Sequence, residues 1–381
     1  MTRNTAQARP LSTLVNLRLL VSWTIFCAAI AGHPAPTFGR VESSAPAKEE
    51  ASSLPDSRSD PFPPKLTVVD GQDLRFKRLP ENAGLSQTRV SSVVQDNLGF
   101  IWFGTQYGLN RLDGYRSKVF KHEPGRSDSL SCVYIHSLFI DHSGTLWVGC
   151  EEFLDKFDPI TETFTHYWIN TPTTVITEDH AGILWLATGR GLYSLNPATG
   201  QTARYVHDPR NPASISGDSI SYIGEDRSGR FWIGNSGGLD ELDRKSGMVI
   251  WHAPIRSDAT HFHEDRFGVF WIATSDSSCS LATLDVAAGH VTCHTIDYES
   301  AGITFTSIIA DMLESRDGTM WLSSTTGLLR LDREHRRIVR YHNQPSDNES
   351  LASDLVLSIY QDKEGNIWTC FQETEPTFFP R

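Results

Sequence analysis

One short block governs what this chain can become: an Asp, a Gly three residues on, and a Trp three residues after that. It stands at Asp96, Gly99 and Trp102, and returns at Asp141, Gly144 and Trp147, then at Asp179, Gly182 and Trp185. Further copies are Asp226, Gly229 and Trp232; Asp265, Gly268 and Trp271; and Asp362, Gly365 and Trp368. A seventh keeps Gly318 and Trp321 with Ser315 in place of the Asp. Successive Trp residues lie 45, 38, 47, 39, 50 and 47 apart. Units of that length without helical patterning hold about four short strands, the content of a propeller blade and too long for a stacked solenoid turn.

Within a unit the alternation of Val90 to Gln95 predicts a strand. The Asp opens a tight turn by accepting backbone hydrogen bonds, and the Gly takes the positive φ that reverses the chain. A second strand carries the Trp, a large flat surface between sheets. The small residue two places later (Gly104, Gly149, Ala187, Gly234, Ala273, Ser323) permits close approach. An Asp or Asn eleven residues after the Trp (Asp113, Asp158, Asn196, Asp243, Asp332) opens a second turn. The expected fold is an all-β, seven-bladed β-propeller of four-stranded antiparallel blades over residues 66–371. The last blade is expected to be incomplete, because residues 372–381 read as a tail without a third strand. Leu74 to Leu79 would supply its fourth strand from the other end of the chain.

Residues 1–31 place Arg3, Arg9 and Arg18 before an apolar run ending in Ala29-Ile30-Ala31, the pattern of an export signal or, if uncleaved, an inner-membrane anchor. Residues 32–65 mix Pro, Ser, Ala and charge and read as a disordered linker. Five Cys follow the signal, an odd number that cannot all pair in an oxidising compartment; Cys279 and Cys293 flank a hairpin turn and could pair across it. A net charge of -12, with no basic run, argues against nucleic acid or anionic lipid as partner.

Gly84-Leu85-Ser86, Val90 to Trp102, Gly104-Thr105, Gly108 to Tyr115, and Tyr222 to Asp243 resemble the two-component regulator propeller repeat of periplasmic sensor regions in hybrid two-component systems. The resemblance covers about residues 74–371 and rests on turn and packing residues, none of them a ligand residue. It implies a periplasmic or extracellular sensor. The usual receptor adds a second propeller, an immunoglobulin-like domain, a membrane helix, a kinase and a response regulator. These 381 residues contain none of them, so a truncated product or one part of a split receptor is expected, signalling through a membrane receptor subunit or separate C-terminal signalling domains.

Propeller ligands sit on the face of the second-to-third-strand and fourth-to-first-strand loops, or at the channel mouth. Tyr107, Glu151, Glu152, Arg190 and Asn235 fall in second-to-third-strand loops, and Trp168 and Trp251 end fourth strands, where an aromatic face suits sugar stacking or outer packing. Unit five departs most: Thr274 to Ser280 lacks the usual Gly-Leu and is three residues longer. His261 and His263 share one strand face with Glu264 opposite, which reads as polar channel lining and not as a metal site. No nucleophile elbow or phosphate-cradling loop occurs, so neither catalytic residues nor a cofactor is expected. The leading expectation is a non-catalytic sensor for an oligosaccharide or other polar ligand. The alternatives are a propeller lyase or glycosidase, and a protein scaffold that uses the unfinished blade edge.

Overall fold

The computed structural model describes residues 62–380 apart from 81, 82, 256 and 304–306. The expected export signal or anchor, and the expected linker as far as Pro61, lie outside the described residues.

Six of the seven repeats begin with a hairpin whose turn is wired by one carboxylate. In the first, Asp96 Oδ1 accepts the amides of Leu98 (2.9 Å) and Phe100 (3.0 Å), and Oδ2 accepts Nε1–H of Trp102 (2.8 Å). Gly99 makes the reversal at φ 92°. The Asp–Trp bond recurs at 2.7–2.9 Å in the five other units with an Asp. In the sixth, Ser315 Oγ accepts from Trp321 (3.2 Å), and Asp317 takes over a backbone amide, that of Thr319 (3.0 Å). The six-residue Asp-to-Trp interval is therefore a bonding distance as well as a turn signature.

Among the described residues the strands form seven blades of four antiparallel strands: five separate sheets, and a nine-stranded sheet in which one extra strand joins the fifth and sixth blades. The first blade comprises Val90–Gln95, Ile101–Thr105, Gly108–Leu112 and Ser117–Phe120. Innermost strands pack on one another in sequence, the seventh on the first, so the ring closes. Each repeat Trp is buried against the next blade: Trp102 lies with Leu146 and Phe157, and Trp368 with Val90 and Phe103. The small residue two places after the Trp is required by the neighbour. A Cβ on Gly149 would stand 2.5 Å from the Thr173 carbonyl of blade three, and one on Gly234 would stand 2.4 Å from the Ala259 carbonyl of blade five.

A second seam follows from the residue before the turn Asp, which accepts the amide of the residue after the Asp of the preceding blade. Lys363 donates to Gln95 (2.6 Å), His142 to Glu178 (2.7 Å), Arg227 to Glu264 (2.7 Å), Arg266 to Glu314 (3.0 Å) and Arg316 to Gln361 (2.8 Å). Blade two has Ile140 there, which cannot accept. His261 and His263 both reach toward the sixth blade, meeting Asp311 (3.4 Å) and Glu314 (3.2 Å), while Glu264 faces the fourth.

Two expectations are corrected. The seventh blade has four strands: Thr377–Phe379 pairs with Ile367–Phe371, and Lys77–Arg78 pairs with Thr377–Phe379. The third strand is short and lacks the usual entry Gly, but Phe379 is wholly buried, 5.2 Å from Trp321 and 5.1 Å from Phe76 between ring centroids. Order also begins within the expected linker, since Phe62 is buried against Trp271 and strand Lys65–Asp70 follows. The cysteines agree with the sequence reading, Cys279 pairing with Cys293 and Cys370 left free and buried, and add a second disulfide, Cys132–Cys150, that it did not foresee. The Cys132–Cys150 bridge joins a fourth-to-first-strand loop to the turn that follows the second strand of blade two, a contact that register alone does not reveal.

Candidate functional site

The second-to-third-strand turns are built on the residue three after the Trp. Thr105, Thr188 and Ser324 use their hydroxyls to accept the amide two residues on and to donate to the carbonyl three residues on, at 2.6–3.2 Å. In blade four Asn235 replaces the hydroxyl, accepting from the Gly237 amide (2.8 Å). In blade two the position is Cys150, held by its disulfide.

Beside these turns lie three long fourth-to-first-strand loops with one internal plan. His122, His207 and Asn343 each bond the carbonyl eight residues later, that of Leu130, Ile215 and Leu351 (2.7–2.8 Å). Ser129, Ser214 and Ser350 each accept the amide of the residue after that anchor (2.9–3.0 Å), while Leu130, Ile215 and Leu351 plug the blade interface. Comparing the intervals between Trp blocks, as well as the blocks themselves, exposes this motif.

The loop from blade three to blade four covers a cleft of about 240 Å³ bounded by His207, Asp208, Asn211, Ser216, Asp240 and His252. Its floor is Asp240 of strand Gly238–Asp243, fully buried and saturated with donors: the Ser216 amide (2.7 Å) and hydroxyl, Asn235 Nδ2 (2.8 Å) and His252 Nδ1 (2.7 Å). His252 Nε2 meets the Pro212 carbonyl (3.1 Å). Burial disfavours the imidazolium, but the Pro212 carbonyl and the Asp240 carboxylate outweigh it and hold the pKa above its ordinary value. Blade two repeats the pair: His166 Nδ1 bonds Asp155 (2.6 Å) and Nε2 meets the Ser127 carbonyl (3.0 Å). The Asp155 bond, opposed by burial, raises that histidine too.

These groups resemble a Ser, His and Asp set in composition only. Ser216 donates to the carboxylate and not to the imidazole, and both ring nitrogens of His252 are engaged with acceptors, so neither a nucleophile nor a base is poised. What remains is a rigid polar concavity, suited to holding a hydroxylated or charged molecule.

The sequence-derived residues divide between two places. Asn235 is wholly buried beneath the blade-four cleft, where it positions Asp240 and presents nothing to solvent. Trp251, beside His252, is half buried edge-on to Trp232 (5.7 Å). On blade two, Trp168 is 56% exposed, packs edge-on against Phe153 (5.0 Å) and pairs with it across the strands, next to Glu151 and Glu152. Tyr107 is exposed on the blade-one turn. Arg190 is exposed on blade three, its carbonyl held by Arg204 (2.6 Å). The structure thus gathers Trp168, Glu151 and Glu152, puts Asn235 under a separate cleft, and leaves Tyr107 and Arg190 on other blades. Among the described residues no three His, Cys, Asp or Glu side chains converge as metal ligands.

Residues 84–107 and 129–152 match the Two component regulator propeller family. These are two-component regulator propeller repeats. A 56-residue stretch, 15% of the chain, is 41% identical to Histidine kinase P4 of Formosa agariphila and covers 4% of that protein. The fold resembles the extracellular domain of a protein assigned as a hybrid two-component system from B. thetaiotaomicron: TM-score 0.68, 24% identity, 80% of this chain and 42% of that one. It also resembles virginiamycin B lyase from Staphylococcus aureus, with TM-score 0.60, 14% identity, 81% of this chain and 99% of that one. At such identities the likenesses establish the fold. The chain spans about two-fifths of the length of the B. thetaiotaomicron domains it matches.

Proposed function

We propose that this chain is an exported, ligand-binding sensor propeller without catalytic activity, the input module of a two-component signalling receptor, with an oligosaccharide or similar polar molecule as its ligand. The observation that carries the reading is the saturation of the cleft: Asp240 and His252 have every partner they need within the protein and hold the loop that shapes the concavity. The two disulfides support export to an oxidising compartment. The exposed Trp168 beside Glu151 and Glu152 offers a second contact surface on the same face, where an aromatic plane and flanking carboxylates suit a sugar ring and its hydroxyls. Signal transfer belongs to a receptor subunit or further domains.

Calorimetric titration of the purified protein against a panel of neutral and charged oligosaccharides tests the reading. Saturable binding, weakened by Asp208→Ala or Trp168→Ala, is expected. Turnover of any panel member, seen as new reducing ends or unsaturated products, would defeat it.

A further inference from the structure

Strand Lys65–Asp70 belongs to no blade. Its sequence alternates so that Leu66 and Val68 face inward, and both are buried. Its first half runs parallel to strand His290–Asp297, the outer strand of blade five, with Leu66 opposite Ile296. Its second half runs parallel to Arg337–Tyr341, the outer strand of blade six, with Val69 opposite Val339. No other blade junction among the described residues is bridged by a strand.

The groove is made for an extended backbone. Thr295 N–H donates to the Pro64 carbonyl (2.7 Å), Gly71 N–H donates to the Arg340 carbonyl (2.8 Å), and Ser300 Oγ accepts the Val68 amide (3.1 Å). Ion pairs Lys65–Asp297 (2.9 Å) and Asp70–Arg340 (3.4 Å) mark the two ends. The irregularities of unit five build this edge. Its outer strand has eight residues where those of the other blades have two to six. The Cys279–Cys293 disulfide ties that strand to the loop before the third strand, and the 3₁₀ turn Tyr298–Ala301 presents Ser300.

We propose that the groove between the outer strands of blades five and six is a strand-binding site: it accepts an extended segment with apolar residues two apart, running parallel to both edges. Residues 65–70 fill it in cis, and the same segment of a second copy fills it in trans. Main-chain pairing supplies the affinity and the Leu66 and Val68 positions supply register. The stretch 71–76 keeps the cis strand at high effective concentration.

Placing a specific protease site between Gln72 and Asp73 of the full chain, then cutting it, turns the strand into a peptide ligand. The severed segment is expected to co-elute with the folded ring and to exchange with a labelled peptide of residues 62–72. The double substitution Leu66→Asp and Val68→Asp in that peptide should weaken exchange by roughly a hundredfold or more. Immediate separation of the segment from a folded ring overturns the proposal, as does a retained segment that never exchanges with excess peptide. Equal binding of a peptide with Leu66 and Val68 shifted by one residue overturns it as well. So does unfolding of the cut ring, since the strand would then be an integral part of the core.

Discussion

At the residue scale the turn carboxylate unites three roles that sequence inspection separates. Asp179 closes a turn through the amides of Ala181 (2.9 Å) and Ile183 (3.0 Å) and fixes its Trp185 in the blade interface (2.9 Å). Asp179→Ala strands three donors at once and should lower stability by about 2–4 kcal/mol, read from urea unfolding. Histidine chemistry gives the pH dependence. Burial, with Nε2 unbonded, pushes the pKa of His136 down to about 4. The unfolded chain therefore takes up a proton near pH 6.5 that the folded chain refuses until about pH 4, and stability is lost as pH falls through that window. The loss is up to about 3 kcal/mol; His136→Gln should remove it, so that the difference between wild-type and variant urea stabilities itself varies with pH across that window. His166 and His252, held above their ordinary value, act in the opposite sense. Their contribution is complete below pH 6.5 and fades as pH rises through their folded values. Replacing both with Gln should flatten the alkaline limb of the same profile, less for the more exposed His252.

At the element scale, what was legible in the sequence was whatever closes within a few residues. The Asp, Gly and Trp of each hairpin interact inside a seven-residue window, so seven blades could be read off, together with the supply of an outer strand from near Leu74. The seams between blades were hidden because they join residues about 40 apart: a Glu or Gln before the turn Asp looks like any surface residue until the neighbouring turn is placed against it. The strand Thr377–Phe379 was missed for a related reason, since three residues without an entry Gly carry no period, and only burial of Phe379 makes them a strand. Site residues fared less well. Asn235 reads as a loop residue in sequence, yet its amide replaces a turn hydroxyl and is wholly enclosed, whereas Trp168, which left exposure and outer packing both open, is exposed and packs edge-on against Phe153. Unit five was rightly read as irregular, but part of that irregularity serves the outer edge and not the ligand face. The Cys279–Cys293 bridge closes a short loop there. Replacing both cysteines with Ser should lower stability by about 2–3 kcal/mol, measured by urea unfolding under non-reducing conditions.

At the scale of the whole molecule the ring is a chain of identical dependencies: each Trp needs the next blade, and the seventh, Trp368, needs the first. Such an arrangement predicts that damage at the closing blade is felt as loss of the entire fold, with no stable six-bladed remnant. Cys370 is the reporter. It lies in the second strand of the closing blade, fully buried, and burial raises its thiol pKa far above the ordinary range, so a thiol reagent reaches it only when the ring opens. Phe379→Ala removes the aromatic wedge between Trp321 and Phe76 and should lower stability by about 3–5 kcal/mol. If closure is cooperative, alkylation of Cys370 in the native protein should accelerate by the factor that this global loss implies, about tenfold for each 1.4 kcal/mol measured by urea. An alkylation rate that, relative to a free thiol, exceeds what the global unfolding equilibrium measured by urea permits would mean that the seventh blade opens alone, breaking its two junctions and leaving the other five.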